Sequence, residues 1–518
     1  MMKAVSGTQM HELDQKTIQE GGIPGTRLMR IAGALAAGGI MEYRAALLKA
    51  GIPSGNVVIL AGKGNNAGDA FVVARMLANS DCRIFLHCAV PENELSGDAL
   101  TVFQELPDSI RENISYDLIP DHLDLPFALI IDGLLGTGFK GELKEPYRSW
   151  CQLVNQSGHP VVSLDIPTGL NADNGEADPD AIVADLTLTM AQPKVGMFSE
   201  TGTKLCGRIQ LLDIGIPAEY SLGLMGMIEC TTQNDVAKWI KKEEFDIHKY
   251  DRGHLLIAGG SRDFSGAPML SAEAALRTGA GLTTCLMPQS STLYCSVPKA
   301  LILRKAEDSN GYFSALSIPA FDTLITKAAA LVLGPGMGTD PESVTFLEHA
   351  LKTECPLLLD ADALNLLAAH PELAETIKER SEETVLTPHG GELKRLCETF
   401  GITGDDRKEQ GIALAEKLQV TLVVKGARTL VISPNGAYAV NLSGSPALAT
   451  AGSGDVLAGM IGAMLMNPEL SAFNAARAAV FIHGLCAELL CPAGSRGIIA
   501  DDLLKVIGEA IRKVRVNA

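Results

Sequence analysis

Val57-Val58-Ile59-Leu60-Ala61-Gly62-Lys63-Gly64-Asn65-Asn66-Ala67-Gly68-Asp69 is a β-branched, apolar run that passes straight into a glycine loop, and Gly68–Asn79 behind it has helical spacing. Strand, tight turn and helix in immediate succession open a nucleotide-binding α/β unit. Gly62, Gly64 and Ala67 stand at the Gly-x-Gly-x-x-Gly/Ala spacing. Small residues let the main chain approach a pyrophosphate, and the free amides of a helix's first turn meet its charge. The next strand tells against an ordinary NAD dehydrogenase. Arg83–His87 runs into Cys88-Ala89-Val90-Pro91, with no acid at its end to hold a ribose. The paired amides of Asn65 and Asn66 suit a monovalent cation or a ribose, not hydride chemistry.

Outward from this loop, strands are expected at Val57–Ala61, Arg83–His87, Ala128–Ile131, Val161–Leu164 and Leu186–Met190, with helices such as Glu145–Gln156 between them. Alternating strand and helix implies a parallel, doubly wound sheet of Rossmann type. Val5–Ala50 in front is mostly helical, with Leu28, Ile31, Ala32 and Leu35 at helical spacing. The pattern breaks over 222–250 and restarts at His254. Further strands are expected at Leu255–Ala258, Leu282–Leu286, Ala330–Leu333, Leu357–Leu359, Thr384–Leu386, Thr421–Val424, Leu430–Ile432 and Tyr438–Asn441. Helices fit Pro268–Thr278, Ala363–Ala369, Asp455–Leu465 and Ala472–Leu490, and Asn234–Lys242 suits a short helix at the junction. Two α/β domains follow, 1–224 and 225–518, and they do not read as repeats of one another.

The 518 residues, 47% hydrophobic and 20% charged, exceed one ordinary core and fit a globular chain of several domains. A net charge of −18 makes nucleic acid and anionic lipid poor partners, although backbone amides can still hold small anions. The eleven cysteines show no Cys-x-x-Cys pair or zinc spacing, so reduced thiols in a cytoplasmic setting are expected. No signal peptide is expected from Met1–Thr8, and no stretch reaches the roughly 18 uninterrupted apolar residues of a membrane span.

Two strand ends beyond the glycine loop carry aspartates. Ala128–Ile131 delivers Asp132, then Gly133-Leu134-Leu135-Gly136-Thr137-Gly138-Phe139-Lys140-Gly141; Val161–Leu164 delivers Asp165, then Ile166-Pro167-Thr168-Gly169-Leu170. Ligands of open parallel sheets sit beyond the carboxyl ends of the strands, so Asp69, Asp132 and Asp165 could share one crevice. For any one of them a turn-capping role explains the residue as well.

The runs GNNAGD, IIDGLLGTGFKG, DIPTGL and PKVG together resemble the NAD(P)H-hydrate epimerase domain, over most of residues 1–220. That resemblance implies that Asn65, Asn66, Ala67, Gly68 and Asp69, with Gly136, Thr137, Gly138, Phe139, Lys140, Gly141 and Glu142, contact a hydrated nicotinamide dinucleotide. It implies that Asn66, Asp132 and Thr168 bind a potassium ion and that Asp165 is the acid–base residue. The family usually reads Asn-Asn-Gly-Gly-Asp-Gly, whereas Ala67 and Ala70 replace two glycines here. Lys194 is a second proton-carrying candidate, with a surface or structural lysine as the plainer reading.

In the second half, Asn441-Leu442-Ser443-Gly444-Ser445-Pro446-Ala447-Leu448-Ala449-Thr450-Ala451-Gly452-Ser453-Gly454-Asp455 precedes an apolar helix. Small residues at a helix start aim several amides at one point, a nest for phosphate. Asp455 is placed to take a proton from a hydroxyl attacking that phosphate. The arrangement resembles the ribokinase-like superfamily. Ser261, Gly266-Ala267, Arg277–Leu282, Gly334-Pro335-Gly336-Met337-Gly338, Leu359–Asn365, Thr387–Glu392 and Val424–Thr429 resemble its ADP-dependent NAD(P)H-hydrate dehydratase branch. The resemblance implies that Lys425, Gly426, Ala427, Arg428, Thr429 and Gly454 hold the AMP part of ADP. Ala267, Gly336, His389 and Asp455 would contact the hydrate. Asp360 and Asp362 suit substrate, metal or loop structure equally, and Glu392 is a candidate to orient a magnesium-bound water.

The implied function is repair of hydrated NAD(P)H. R and S hydrates are epimerised, then the S form is dehydrated at the expense of ADP with release of AMP and phosphate. A ribokinase-like vitamin kinase would use the same aspartate, but the coupled first half, His389 and the Gly334–Gly338 run tell against it. A first half reduced to a binding or oligomerisation module is the non-enzymatic alternative. A homo-oligomer is expected, and the Ala/Gly-rich Ile31–Ile40 segment suits packing between subunits and within one chain equally.

Overall fold

The structure, a computed structural model, describes residues 2–53, 55–123, 125, 128–222, 228–240, 244–293, 296–492, 494 and 496–516. The chain divides into two compact units, Met2–Glu229 and Cys230–Ala518. The expected division between 224 and 225 falls outside the described residues, as does the end of the helix expected over Asn234–Lys242, which runs Gln233–Trp239.

The first unit is built on β1 (Asn56–Ala61), β2 (Arg83–Cys88), β3 (Ala128–Gly133), β4 (Val161–Leu164), β5 (Leu186–Met190) and β6 (Arg208–Leu212). They lie in the order β2-β1-β3-β4-β5-β6, all parallel. The central strands β3, β4 and β5 are buried along their whole length, which is why they read as continuous apolar runs. Helix Gly25–Lys49 packs on helix Asn65–Leu77 at a close approach. A Cβ on Gly33 would lie 2.4 Å from Val72, and one on Gly68 would lie 2.4 Å from Met29 Sδ. The buried face of the longer helix is therefore Leu28, Ala32, Gly33, Ala36, Ala37 and Ile40, while Leu35 is exposed. The small residues of Ile31–Ile40 thus serve packing within the unit.

The second unit contains β7 (His254–Ala258), β8 (Leu282–Pro288), β9 (Ile302–Ala306), β10 (Ala330–Leu333), β11 (Leu357–Leu359), β12 (Thr384–Leu386), β13 (Thr421–Val424), β14 (Leu430–Ile432) and β15 (Tyr438–Asn441). They run side by side as β15-β14-β13-β12-β11-β10-β7-β8-β9. Pairing is parallel from β13 to β9 and antiparallel for β13–β14 and β14–β15. Helices Gly266–Thr278, Ser453–Leu465, Ala472–Leu490 and Ala500–Val516 contribute to one large apolar core against this sheet.

Gly25–Lys49 and Ala472–Leu490 are long and apolar enough to cross a membrane by length and composition, and each buries much of its surface inside its own unit.

Helices Gly266–Thr278 and Ser453–Leu465 touch where a side chain has no room. A Cβ on Gly459 would sit 1.9 Å from the Ser271 carbonyl oxygen. Gly459→Ala is therefore expected to destabilise the second unit by about 1–3 kcal/mol. Calorimetry should show its transition lowered by roughly 2–4 °C per kcal/mol, with the first unit's transition unmoved.

Candidate active sites

The first site forms at the carboxyl ends of β1, β3 and β4. Asp132, wholly buried in β3, accepts four hydrogen bonds. They come from Ser163 Oγ at 2.8 Å, the Thr168 amide at 2.9 Å, Thr168 Oγ1 at 2.6 Å and the Leu134 amide at 3.3 Å. Burial raises its carboxyl above the ordinary value, and the Thr168 and Ser163 bonds pull the other way. Thr168 Oγ1 lies 3.3 Å from the Leu135 carbonyl oxygen, and Asn66 Nδ2 donates to that same oxygen at 3.1 Å. Asn66 Oδ1 is buried and, among the described residues, has no hydrogen-bond partner. Asn66, Asp132 and Thr168 are thus gathered around one backbone carbonyl, Leu135, which nothing in the sequence marks.

Asn65–Asp69 form the first turn of their helix, and Gly136–Glu142 cross beside it, Gly136 lying against Asn66. Within that crossing loop, Lys140 pairs with Asp173 at 3.2 Å, and Glu142 is exposed, 4.0 Å from Arg148. Gly138, Phe139 and Gly141 lie along the same loop, and Thr137 meets the start of helix Gly7–Gln19, where a Cβ on Gly7 would lie 3.0 Å from its carbonyl oxygen. Ala67 and Ala70 are wholly buried, and the Ala70 methyl lies 2.6 Å from where a Gly133 Cβ would stand. The Ala70 methyl packs inward against the sheet, and burial keeps both methyls off the open face of the loop.

Asp165 follows β4 in a left-handed conformation, φ 63°, uncommon for a residue with a side chain. Its Oδ1 accepts from the Met190 amide at 3.0 Å and from the ammonium of Lys194. Lys194 is wholly buried, which removes the surface reading and leaves a structural or a proton-carrying lysine. Two more carboxylates share the field of this lysine: Asp69, expected in this crevice, and Asp14, which no motif marks. Asp69 is pushed well above the carboxylate range by burial, with Asp165 and Asp14 adding to it. Asp14, on helix Gly7–Gln19, is pushed up to about 6 by burial, against the pull of Lys194.

The second site lies where β7, β10, β11, β12 and β13 end. Lys425, just after β13, donates to Asp360 Oδ1 at 2.8 Å and stands 3.9 Å from Glu392. Asp360 also accepts from Thr387 Oγ1 at 2.6 Å. Asp362 accepts from the Gly338 amide at 2.9 Å, a loop-holding role. His389 caps helix Gly390–Phe400: its Nδ1 accepts from the Gly391 amide at 3.0 Å, and its own amide donates to Glu392 at 2.8 Å. Burial and the charge of Lys425 lower the His389 imidazole, so it is neutral at neutral pH. Gly336, φ 63°, lies against Ala267 and the Phe264 carbonyl, which brings those two predicted contact residues together.

Gly452, φ 85°, turns the chain into helix Ser453–Leu465, whose first-turn amides have no carbonyl one turn earlier within the helix. A Cβ on Gly454 would be 3.5 Å from Lys425 Nζ. The first-turn amides, the Lys425 ammonium and Asp455 therefore occupy one place. Burial raises the Asp455 carboxyl to about 7, with Asp360, Asp362 and Glu392 adding and Lys425 opposing. Gly426–Thr429 lead from Lys425 into β14, and Thr429 Oγ1 donates to the Gly426 carbonyl at 3.0 Å. Arg407 holds this segment by donating to the Ala427 and Arg428 carbonyls, the latter at 2.9 Å. His483, buried under the nest and hydrogen-bonded to the Ser453 backbone, has its imidazole lowered to about 4 by burial. Neither Arg407 nor His483 stands near a motif in sequence.

Two nucleotide-type α/β units, each with an aspartate at a glycine-lined crevice, define an enzyme acting on a dinucleotide in one unit and on phosphate in the other. A family model described as NAD(P)H-hydrate dehydratase matches residues 255–509, and one described as YjeF-related protein N-terminus matches residues 25–196. The chain is 36% identical to a "Bifunctional NAD(P)H-hydrate repair enzyme Nnr" of Salinibacter ruber, over 96% of this chain and 94% of that one. It is 33% identical to a protein of the same name from Coxiella burnetii, over 96% of each. The chain belongs to the family of bifunctional NAD(P)H-hydrate repair enzymes, which join an epimerase unit to a dehydratase unit. A solved ADP/ATP-dependent NAD(P)H-hydrate dehydratase from Bacillus subtilis, co-crystallised with ATP and Mg2+, is 25% identical with a TM-score of 0.42, covering 56% of this chain and 100% of that one.

Proposed function

We propose that Asp455 is the general base of the dehydratase unit and Asp165 the proton carrier of the epimerase unit. The observation that carries this reading is the meeting of Asp455, Lys425 and the Gly452–Gly454 turn at one point. Ala267, Gly336 and His389 line the hydrate side, and Lys425–Thr429 with Gly454 hold the AMP part of ADP. Asp455 takes the hydroxyl proton of the S hydrate as its oxygen bonds to the β-phosphorus of ADP, and AMP leaves. Inorganic phosphate then leaves with the electrons of the ring carbon–oxygen bond, the neighbouring ring carbon gives its proton to water, and NAD(P)H re-forms. The nest amides and Lys425 stabilise charge on the transferring group. The base must be ionised, so kcat/KM for dehydration should rise with pH through a midpoint near 7. A flat profile from pH 5 to pH 8 would contradict the assignment.

In the epimerase unit, Asp165 takes the hydroxyl proton of either hydrate. The ring carbon–nitrogen bond opens, its electrons resting on the nitrogen and the conjugated carboxamide. Reclosure on the other face and return of the proton give the other epimer, with no net gain or loss of atoms. Asn65–Asp69 and Gly136–Glu142 bind the dinucleotide. A potassium ion fits beside Asn66, Asp132 and Thr168, because the buried Asn66 Oδ1 has no hydrogen-bond partner among the described residues and the Leu135 carbonyl oxygen is at hand. Such an ion would supply fixed positive charge toward the pyrophosphate. Replacing potassium by lithium should slow epimerisation about tenfold and leave dehydration unchanged.

Among the described residues, no cluster of three His, Cys, Asp or Glu side chains is arranged to hold a metal. Magnesium would arrive on the nucleotide phosphates, with Glu392, 3.9 Å from Lys425, a carboxylate able to orient its water. We place the enzyme in the cytoplasm, without nucleic-acid or membrane partners. The support is its acidic charge and the thiols, none of them in a disulfide among the described residues.

A further inference from the structure

We propose that Lys194 is the positioning residue of the epimerase site, its buried ammonium clamping Oδ1 of Asp165 so that Oδ2 is left to face the hydrate. The proposal rests on the reading of Asp165 as the proton carrier.

A lysine ammonium has three N–H donors and no acceptor. Those of Lys194 meet Asp165 Oδ1, Thr189 Oγ1 at 3.1 Å and the Met190 carbonyl at 3.1 Å. The backbone around it is pinned as well. The Val5 amide donates to the Pro193 carbonyl at 2.8 Å, and the Val195 amide donates to the Val5 carbonyl at 2.9 Å. A fully buried ammonium is costly, and a well-packed apolar side chain would often hold the fold as well or better. Its retention at a crevice, aimed at a carboxylate, calls for a reason other than packing.

The carboxylate is itself held under strain. Asp165 sits at φ 63°, a conformation uncommon for a residue with a side chain that persists only where its surroundings impose it. The Asp165 amide is tied to the Leu188 carbonyl at 2.8 Å, and Thr189 Oγ1 approaches Oδ1 at 3.5 Å. Every side-chain hydrogen bond of Asp165 among the described residues falls on Oδ1. A base whose one oxygen is fixed presents the other in a single direction, which is what proton removal from a bound hydroxyl requires. Three acids, Asp14, Asp69 and Asp165, and His11 beside Asp14 share this field with Lys194. The ammonium bonds only Asp165 among them.

Three variants separate charge from packing. Lys194→Met keeps the stem volume and loses the charge, Lys194→Arg keeps the charge and overfills the site, and Lys194→Ala opens room for ethylammonium. Epimer interconversion is followed by chromatography, with ADP-dependent dehydration of the S hydrate on the same chain as the control. We expect kcat for epimerisation to fall about a hundredfold in Lys194→Met and less in Lys194→Arg, with KM changed by less than about threefold. Ethylammonium should raise the Lys194→Ala rate at least about tenfold and leave Asp165→Asn unaffected. A Met variant faster than the Arg variant, or an Ala variant unmoved by ethylammonium, overturns the proposal. Retention of wild-type epimerisation by Asp165→Asn would instead overturn the reading of Asp165 on which it rests.

Discussion

Asp455→Asn is expected to lower ADP-dependent dehydration of the S hydrate about a thousandfold, the scale of a lost general base. The amide keeps the shape of the side chain and cannot accept the hydroxyl proton. Binding of ADP should change little, because the Lys425 ammonium and the first-turn amides are left in place. The loss should therefore fall on kcat and not on the KM for ADP. Stability should move the other way. A carboxyl raised to about 7 in the fold from about 4 in the unfolded chain favours the folded state at acid pH and loses that contribution as pH rises through 7. Replacing it with an uncharged amide should leave the second unit's Tm at pH 8 equal or higher. Lower activity with a lower Tm would point to misfolding. Epimerisation by the first unit should be unchanged in this variant.

Asp165→Asn is expected to reduce interconversion of the two hydrates by about 10²–10⁴-fold while the S form is still dehydrated at the normal rate. The geometry favours a loss on this scale. Asp165 is the carboxylate that the Lys194 ammonium bonds, and its strained backbone fixes the direction of the free oxygen. Asp69 and Asp14 lie in the same field, but neither bonds the Lys194 ammonium, so neither is held in the direction that Asp165 is. Chromatography of R hydrate incubated with the variant, before any ADP is added, measures the effect directly.

Much of this arrangement was legible in the sequence because parallel sheets write themselves plainly. A strand covered on both faces is a continuous apolar run, and the residue after it reaches the crevice. Asp132 and Asp165 were found on that rule, and Lys425 and the loop at Thr387–Glu392 through the family resemblance. Two of the strands that escaped the rule did so for a physical reason. Arg208–Leu212 and Ile302–Ala306 are edge strands in the orders given above, and the charges of Arg208, Arg304 and Lys305 break the apolar run. The partners of the supporting groups were not legible. Lys194 meets a partner 29 residues away, and Lys425 meets Asp360 across 65 residues. The Leu135 carbonyl that joins Asn66 to Thr168 belongs to the backbone and has no sequence signature. The glycine-to-alanine changes at 67 and 70 could be interpreted only once the fold showed both methyls buried.

The most direct test starts from pure R hydrate of NADPH and follows the near-ultraviolet absorbance of the reduced nicotinamide after ADP is added. The two sites acting in series should restore the full absorbance, with AMP and phosphate formed in equal amounts. Asp165→Asn and Asp455→Asn should each block recovery when alone, and a mixture of the two variants should restore it. Failure of that mixture, or recovery by either variant alone at the wild-type rate, would contradict two independent sites on one chain.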